Sequence, residues 1–109
     1  MRAILSDIHG NLEALTAVLA DMKQFGVPEI FNLGDIVGYG PNPLECLELC
    51  YEMDIVLTGN FDRGTLIDPD GFAVTAERSI NWTRLQLQAE PDAGKRDQRM
   101  LFLENLPTS

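Results

Sequence analysis

The sequence predicts an α/β fold in which three parallel strands alternate with two helices, and further helices follow. Three short apolar runs support the strands: RAILS, EIFNL and DIVLT. Each run stops at a glycine or a polar residue, and segments with helical spacing of apolar residues separate the runs. Strand, helix, strand, helix, strand is the βαβαβ pattern of a parallel sheet, in which right-handed crossovers are expected.

Length and composition favour one globular domain over residues 1–109, with 45% hydrophobic and 23% charged residues. The net charge of -9, from 8 Lys+Arg against 17 Asp+Glu, gives no basic footprint for nucleic acid. No apolar run is long enough to span a bilayer, and the N-terminus lacks the pattern of a secretory signal. These observations predict no membrane association and a cytoplasmic location.

The first strand is predicted at RAILS, a continuous apolar run typical of a strand covered on both faces. The following helix has Asn11 placed to cap its start and Gly26 placed to end it. Its apolar residues recur at helical spacing, at Leu12, Leu15, Leu19 and Met22.

The second strand, EIFNL, leads through the loop IVGYGPNP into a second helix. Asn42 as N-cap, Pro43 at the first helical position and Glu45 at the third predict a capping box. Cys46 and Cys50 lie four residues apart and so share one helix face. We expect buried, reduced core thiols, because a structural zinc ion needs four ligands.

After the third strand, DIVLT, the pattern changes. Residues 61–75 read as a loop, with a turn at 68–71 formed by Asp-Pro-Asp-Gly. Thr75 is placed to cap a helix through AERSINWTRLQLQ, and KRDQRMLFLENL predicts a further helix. Trp82 and Phe102 fall at helical positions typical of core residues, and no fourth strand is visible.

Four polar side chains follow the three predicted strands, and the carboxyl ends of parallel strands line the ligand crevice of such sheets. They are Asp7 and His9, Asp35, and Asn60. Carboxylate, imidazole and amide ligands suit Mn²⁺, Fe²⁺ or Zn²⁺ better than Ca²⁺. Two such ions about 3.5–4 Å apart, with Asp35 shared between them, suit phosphoester hydrolysis.

Each residue also has a simpler interpretation. Taken alone, Asp7 is a capping carboxylate, His9 a turn histidine and Asn60 a left-handed turn residue. Asp62 is better placed as a hydrogen-bond acceptor or loop cap than as a metal ligand. The loop glycines, at 38 and 40, indicate either a phosphate-binding nest or a turn that approaches the site closely, and we favour the turn because the loop has no lysine.

Three motifs in order, DIHGN, GDIVGYGPNP and GNFD, resemble the first three motifs of the calcineurin-like metallophosphoesterases, and most resemble the small bacterial and archaeal phosphodiesterase-like branch. The resemblance extends through LENLP. It implies about half of a four-layer αββα sandwich, here the parallel sheet with C-terminal helices. It also implies two divalent ions in the complete domain, drawn from Mn, Fe, Zn and Ni.

By the same resemblance, Asp7 and His9 hold the first ion, Asp35 bridges, and Asn60 holds the second. Asp35, Asn60 and Asp62 are then the residues assigned to catalysis. The implied activity is hydrolysis of a small phosphoester or nucleotide-like substrate, with monoester and diester both open. The alternative is a non-catalytic binding or scaffold protein on a degenerate version of the fold.

Two departures from the family pattern bear on these expectations. Phe61 stands where the family has a histidine that donates to the substrate, and the later histidine motif G-H-x-H is absent. We therefore expect an N-terminal half that binds one metal ion weakly and is inactive alone. Ile4, Phe31 and Val56 would lose the cover of a second sheet, which predicts self-association through the uncovered sheet.

Overall fold

The computed structural model describes residues 1–67, 69 and 71–108. The three strands form one parallel sheet in which their spatial order follows the chain. This arrangement confirms the predicted βαβαβ unit. In chain order the elements are β1 (Arg2–Leu5), α1 (Leu12–Gln24), β2 (Glu29–Asn32), α2 (Pro43–Cys50), β3 (Ile55–Val56), α3 (Asn60–Leu66), α4 (Val74–Gln88) and α5 (Ala93–Glu104).

The first two helices begin where the sequence predicts. The Asn11 side chain accepts a 3.1 Å hydrogen bond from the backbone N–H of Ala14, which confirms the predicted cap of α1. Asn42 is the N-cap of α2 and Pro43 its first residue. The predicted capping box is wrong, because the Asn42 side chain makes no bond to the helix backbone and instead donates to the Glu45 carboxylate.

The hydrophobic core lies between the sheet and the helices. Cys46 and Cys50 are fully buried and free, as predicted for core thiols. The buried members of the core are Leu15, Ile36, Val37, Cys46, Leu47, Cys50, Val56, Leu87 and Leu103. Among the described residues, no helix is long and apolar enough to cross a membrane.

One face of the sheet lacks cover within the described part of the chain. Strand order follows chain order, so right-handed crossovers place α1 and α2 on the same face. The opposite face carries Ile4, Phe31 and Ile55 in one row across the three strands. Ile4 is 66% exposed and Phe31 is half-buried. The prediction that β1 is covered on both faces is therefore wrong. The expected exposure of Val56 is wrong, because this residue is buried in the core.

Helix α3 occupies residues predicted as a loop, which corrects that expectation. The Asp62 side chain bonds to the backbone N–H of Gly59 and so stabilises the first turn. At the other end, the Arg84 guanidinium donates to the backbone carbonyls of Gly64, Thr65 and Ile67. Both contacts satisfy helix-end groups that would otherwise lack partners. In the predicted turn at 68–71, the two aspartates lie outside the described residues.

The last two helices lie close to their predicted positions, but the predicted N-cap of α4 and one of the two predicted core residues are wrong. Helix α4 begins at Val74 with Ala73 as N-cap, so the prediction that Thr75 caps it is wrong. Trp82 is 41% exposed and is not a core residue, whereas Phe102 is half-buried against the Tyr51 ring at 4.9 Å. No fourth strand occurs in the part of the chain that the structure describes, as predicted.

A buried arginine joins the terminal helix to the rest of the molecule. Arg99 in α5 is only 7% exposed. Its guanidinium donates to the Glu48 carboxylate of α2 at 2.6 and 3.0 Å and to Glu90 at 2.8 Å. The buried charge is therefore paired on both sides, as its burial requires.

Candidate metal site at the carboxyl edge of the sheet

Three of the four predicted ligands meet at the carboxyl edge of the sheet. Asp7 and His9 follow β1, and Asp35 follows β2. One ligand atom from each of these three residues lies within 4.8 Å of the other two. Because β1 and β2 are paired in parallel, their ends bring the two loops together. The three donors are close enough to share one cation.

The backbone at all three positions adopts a left-handed conformation. The φ angles are 56° at Asp7, 48° at His9 and 58° at Asp35. This region is uncommon for residues with a Cβ and costs about 1–2 kcal/mol at each. The described residues include one further non-glycine with positive φ, Tyr39, in the neighbouring loop. Strain of this kind concentrates at functional sites, and here it coincides with the three donors.

The histidine tautomer follows from its hydrogen bond. Nδ1 of His9 lies 3.0 Å from the backbone carbonyl oxygen of Val37. A carbonyl can only accept, so Nδ1 carries the proton and donates it. In the neutral ring the lone pair is then on Nε2, which lies 3.4 Å from Oδ1 of Asp7. A metal-ligating histidine is oriented in this way by a carbonyl on its other nitrogen.

Asp62 fixes the loop that carries Asp35. Its fully buried carboxylate accepts backbone N–H groups from Asp35 at 2.9 Å, Ile36 at 2.9 Å, Val37 at 3.2 Å and Gly59 at 3.0 Å. Burial raises the pKa of the Asp62 carboxyl, and the donors at Gly59, Val37 and Ile36 oppose that rise. Both oxygens are occupied by the backbone, which agrees with the predicted role of a hydrogen-bond acceptor.

Two glycines let the loops after β2 and β3 pack backbone to backbone. Gly34 has φ of +109°, and a Cβ there would lie 2.5 Å from the backbone nitrogen of Gly59. A Cβ at Gly59 would overlap the side chain of Asp35. Only glycine fits at either position without displacing the loop that holds Asp35.

Asn60 lies in the segment after β3 that packs against Asp35. It is the exposed first residue of α3, between Gly59 and Phe61. Gly59 packs against Asp35, and the backbone N–H of Phe61 donates to Oδ1 of Asp35 at 3.0 Å. The backbone of Asn60 is therefore adjacent to the three-residue cluster, and its role as a ligand stays a prediction.

The glycine-rich loop approaches the site closely, as the sequence predicts. The backbone N–H of Gly40 donates to the carbonyl oxygen of His9 at 2.7 Å, and a Cβ at Gly40 would overlap His9 and Gly10. Because the amide of Gly40 is already bonded to His9, it does not face outwards as a phosphate-binding nest requires.

Two aromatic rings border the imidazole, and sequence reasoning missed one of them. The His9 ring centroid lies 4.8 Å from that of Phe61 and 5.3 Å from that of Tyr39. Phe61 and Tyr39 are 5.0 Å apart, and Phe72 packs on Phe61 at 5.1 Å. A tyrosine between two glycines in the sequence GYG was the available signal for Tyr39.

Comparison with known proteins gives consistent matches over nearly the whole chain. The profile of a family described as calcineurin-like phosphoesterase matches residues 2–106. An uncharacterized protein of Methanocaldococcus jannaschii is 44% identical over 110 residues, covering 98% of this chain and 42% of the relative. The crystal structure of a metallophosphoesterase from Sphaerobacter thermophilus superposes with a TM-score of 0.73 at 41% identity, covering 97% of this chain and 41% of that one. The chain thus spans about two fifths of the length of both.

Proposed function

The chain belongs to the calcineurin-like phosphoesterase family, and we propose that it contributes part of a metal centre for phosphoester hydrolysis. The family match confirms the resemblance read from the three sequence motifs. The solved metallophosphoesterase agrees with the prediction that this chain forms part of that fold. Because the chain covers about two fifths of its relatives, the activity of a whole protein is part of the proposal.

The cluster of Asp7, His9 and Asp35 carries the proposal. Two carboxylates and an imidazole form a donor set that fits Mn²⁺, Fe²⁺, Zn²⁺ or Ni²⁺. The Val37 carbonyl orients the imidazole, and the strained backbone holds all three donors on one edge. Divalent cations at such a place supply charge neutralisation and an activated water to phosphoester hydrolysis.

We assign the remaining residues from the family resemblance. Asp35 would help to hold both of two divalent ions and Asn60 would help to hold the second, and these ions would supply charge neutralisation and an activated water. Asp62 acts through Asp35, because its carboxylate is occupied by backbone amides and holds the loop in place. The substrate is a small phosphoester or nucleotide-like molecule, either a monoester or a diester.

A second candidate function is binding without catalysis. The observation that favours it is Phe61, whose ring packs against His9 and offers no proton to a leaving group. A scaffold protein on this fold would keep the loop architecture and lose turnover. Metal binding that survives while hydrolysis stays absent in a full-length protein would select this alternative.

We also propose that the chain associates with itself through the uncovered sheet face. Ile4, at 66% exposure, and Ile55, at 45%, flank the half-buried Phe31, and the Arg2 guanidinium lies 5.3 Å from the centroid of the Phe31 ring. β1 is also an edge strand of the described sheet. Light scattering is expected to give a dimer or larger species, and Ile4→Lys is expected to reduce it. A monomer with a cooperative melt would contradict this proposal.

Calorimetric titration with Mn²⁺ and Zn²⁺ tests the metal site. We expect at most one weak site, because the first position has three ligands here and the second has only Asp35 and Asn60. Asp35→Ala is expected to abolish binding, whereas Asp21→Ala, an exposed carboxylate on α1, should leave it unchanged. Two tight sites per chain, or equal binding by both variants, would overturn the assignment.

A further inference from the structure

Tyr39 occupies an exposed and strained position beside the candidate site. It has φ of 63°, a region disfavoured for residues with a Cβ, and 59% of the residue is exposed. Neither burial nor backbone preference explains a large aromatic residue here, since asparagine or glycine adopts this conformation more readily. We therefore expect the aromatic side chain of Tyr39 to have a functional role.

The ring of Tyr39 is held in a defined place. Its centroid lies 5.3 Å from the His9 ring and 5.0 Å from the Phe61 ring. Gly40 is bonded to the His9 carbonyl, and a Cβ at Gly38 would overlap the Phe61 ring. The loop is thus fixed on both sides of Tyr39, and Tyr39 with Phe61 forms an aromatic wall next to the imidazole. We call these two rings the aromatic wall.

We propose that the aromatic wall binds the organic group of the substrate, and that this group is a flat aromatic ring attached to the phosphoryl group. The inference rests on the proposed function, which places the phosphoryl group at Asp7, His9 and Asp35. An exposed aromatic ring that is already ordered stacks on a flat ligand ring at little entropic cost. The net charge of -9 on these 109 residues gives no basic surface for a polyanion, which favours a small ester over an oligonucleotide as the substrate.

The test uses two probes whose carbon–phosphorus bond is not hydrolysed: phenylphosphonate and methylphosphonate. Binding of each to the Zn²⁺-loaded 109-residue chain is followed by NMR titration. Wild type is expected to bind the phenyl probe about tenfold more tightly than the methyl probe, as a stacking contact predicts. Tyr39→Phe should keep that ratio.

Tyr39→Asn removes the ring while retaining a residue that tolerates left-handed backbone. It should bring the ratio of the two affinities below about twofold, as expected when the stacking contact is lost. Phe25→Asn is the matched control, because Phe25 is likewise an exposed aromatic, at the end of α1 and away from the site. It should leave the ratio as in wild type. Zn²⁺ affinity, measured separately, should be the same in all four proteins.

The outcomes separate this inference from the function on which it rests. If Zn²⁺ binds but the phenyl preference is absent in wild type, or persists in Tyr39→Asn, the aromatic wall has no such role and the metal site stands. The same conclusion follows if Zn²⁺ binds and neither phosphonate does. If Tyr39→Phe loses the preference for the phenyl probe, the phenolic hydroxyl and not the ring face sets that preference, and the inference is overturned. If Zn²⁺ does not bind, the proposed function fails and this inference fails with it.

Discussion

The backbone N–H of Asp35 donates a 2.9 Å hydrogen bond to Oδ2 of Asp62, 27 positions later in the chain. The same carboxylate accepts from Ile36 and Val37 in the loop after β2 and from Gly59 in the loop after β3. One buried side chain thus joins the two loops. The place of the Asp35 carboxylate is set by a residue outside the donor cluster.

The first prediction concerns the hydrogen bonds by which Asp62 holds the loops after β2 and β3 together. Asp62→Asn keeps the size of the side chain but replaces one acceptor oxygen by an NH₂ group that cannot accept. At least one buried backbone N–H then loses its partner, which costs about 1–3 kcal/mol. Urea unfolding at neutral pH should show that loss, together with weaker metal binding.

Asp92→Asn is the matched control. Asp92 caps α5 by accepting from the backbone N–H of Lys95 at 3.2 Å. Asparagine caps as well as aspartate, so stability should stay within about 0.5 kcal/mol of wild type. Equal small effects of both substitutions would show that Asp62 does not hold the loops together.

The second prediction compares two glycines that both have positive φ. Gly26→Ala meets no atom within 4 Å, so it should cost only the left-handed penalty of about 1 kcal/mol. Gly34→Ala places a Cβ 2.5 Å from the backbone nitrogen of Gly59. It should cost at least about 2 kcal/mol more. Denaturant unfolding checks both, and similar losses would mean that the loops after β2 and β3 are not tightly packed.

The sequence predicts the local features of the fold well, because they depend on neighbouring residues. The cap at Asn11, the proline at the start of α2 and the three apolar runs are of this kind. The sequence did not predict helix α3, because Gly64 lowers the helical preference of this segment. Its ends are stabilised by Arg84 and by an Asp62 that also bonds to the loop after β2, contacts that become visible only in three dimensions.

The candidate site likewise has features that the sequence predicts and features that depend on tertiary packing. Asp7, His9 and Asp35 were expected to converge because parallel strands end at a common edge. The left-handed backbone at all three could not be expected, since it depends on how the loops pack against each other. The position of the Tyr39 ring beside His9 likewise depends on the contacts of Gly38 and Gly40.

The third prediction concerns the thiols. Burial raises the pKa of Cys46 to about 11 and that of Cys50 to about 12. Since the thiolate is the reactive form, both should resist a disulfide reagent at pH 8 in the folded chain. Two thiols per chain should react once guanidinium unfolds it. Rapid reaction without denaturant would contradict the burial of these side chains.

The fourth prediction concerns acid stability. The hydrogen bond from the Arg99 guanidinium lowers the pKa of Glu90. A carboxyl whose pKa is lower in the folded state stabilises the fold above its unfolded pKa, near 4.5, and the contribution is lost as pH falls through the folded value. Glu90→Gln should therefore be less stable than wild type at pH 7, and the difference should shrink below pH 4.5 in unfolding measurements. A difference that does not change with pH would contradict this account.

The last prediction is that residues 1–109 alone do not hydrolyse an activated diester such as bis-p-nitrophenyl phosphate. Phe61→His alone should not restore turnover. A missing general acid costs about 10²–10⁴-fold, whereas loss of the second ion removes charge neutralisation and water activation together. On the proposed assignment this chain would give the second ion only Asp35 and Asn60, so we expect incomplete ligation of that ion to be the larger defect.

Activity should return when this chain is fused to the unmatched part of its full-length relative from Methanocaldococcus jannaschii, of which it covers 42%. Asp35→Ala should abolish the restored turnover, because Asp35 is the ligand assigned to both ions. The Asp21→Ala fusion should remain active, since that carboxylate is exposed on α1 away from the cluster. Turnover by the isolated chain that EDTA removes would show that a second copy supplies the missing ligands, or that the cluster of Asp7, His9 and Asp35 suffices by itself.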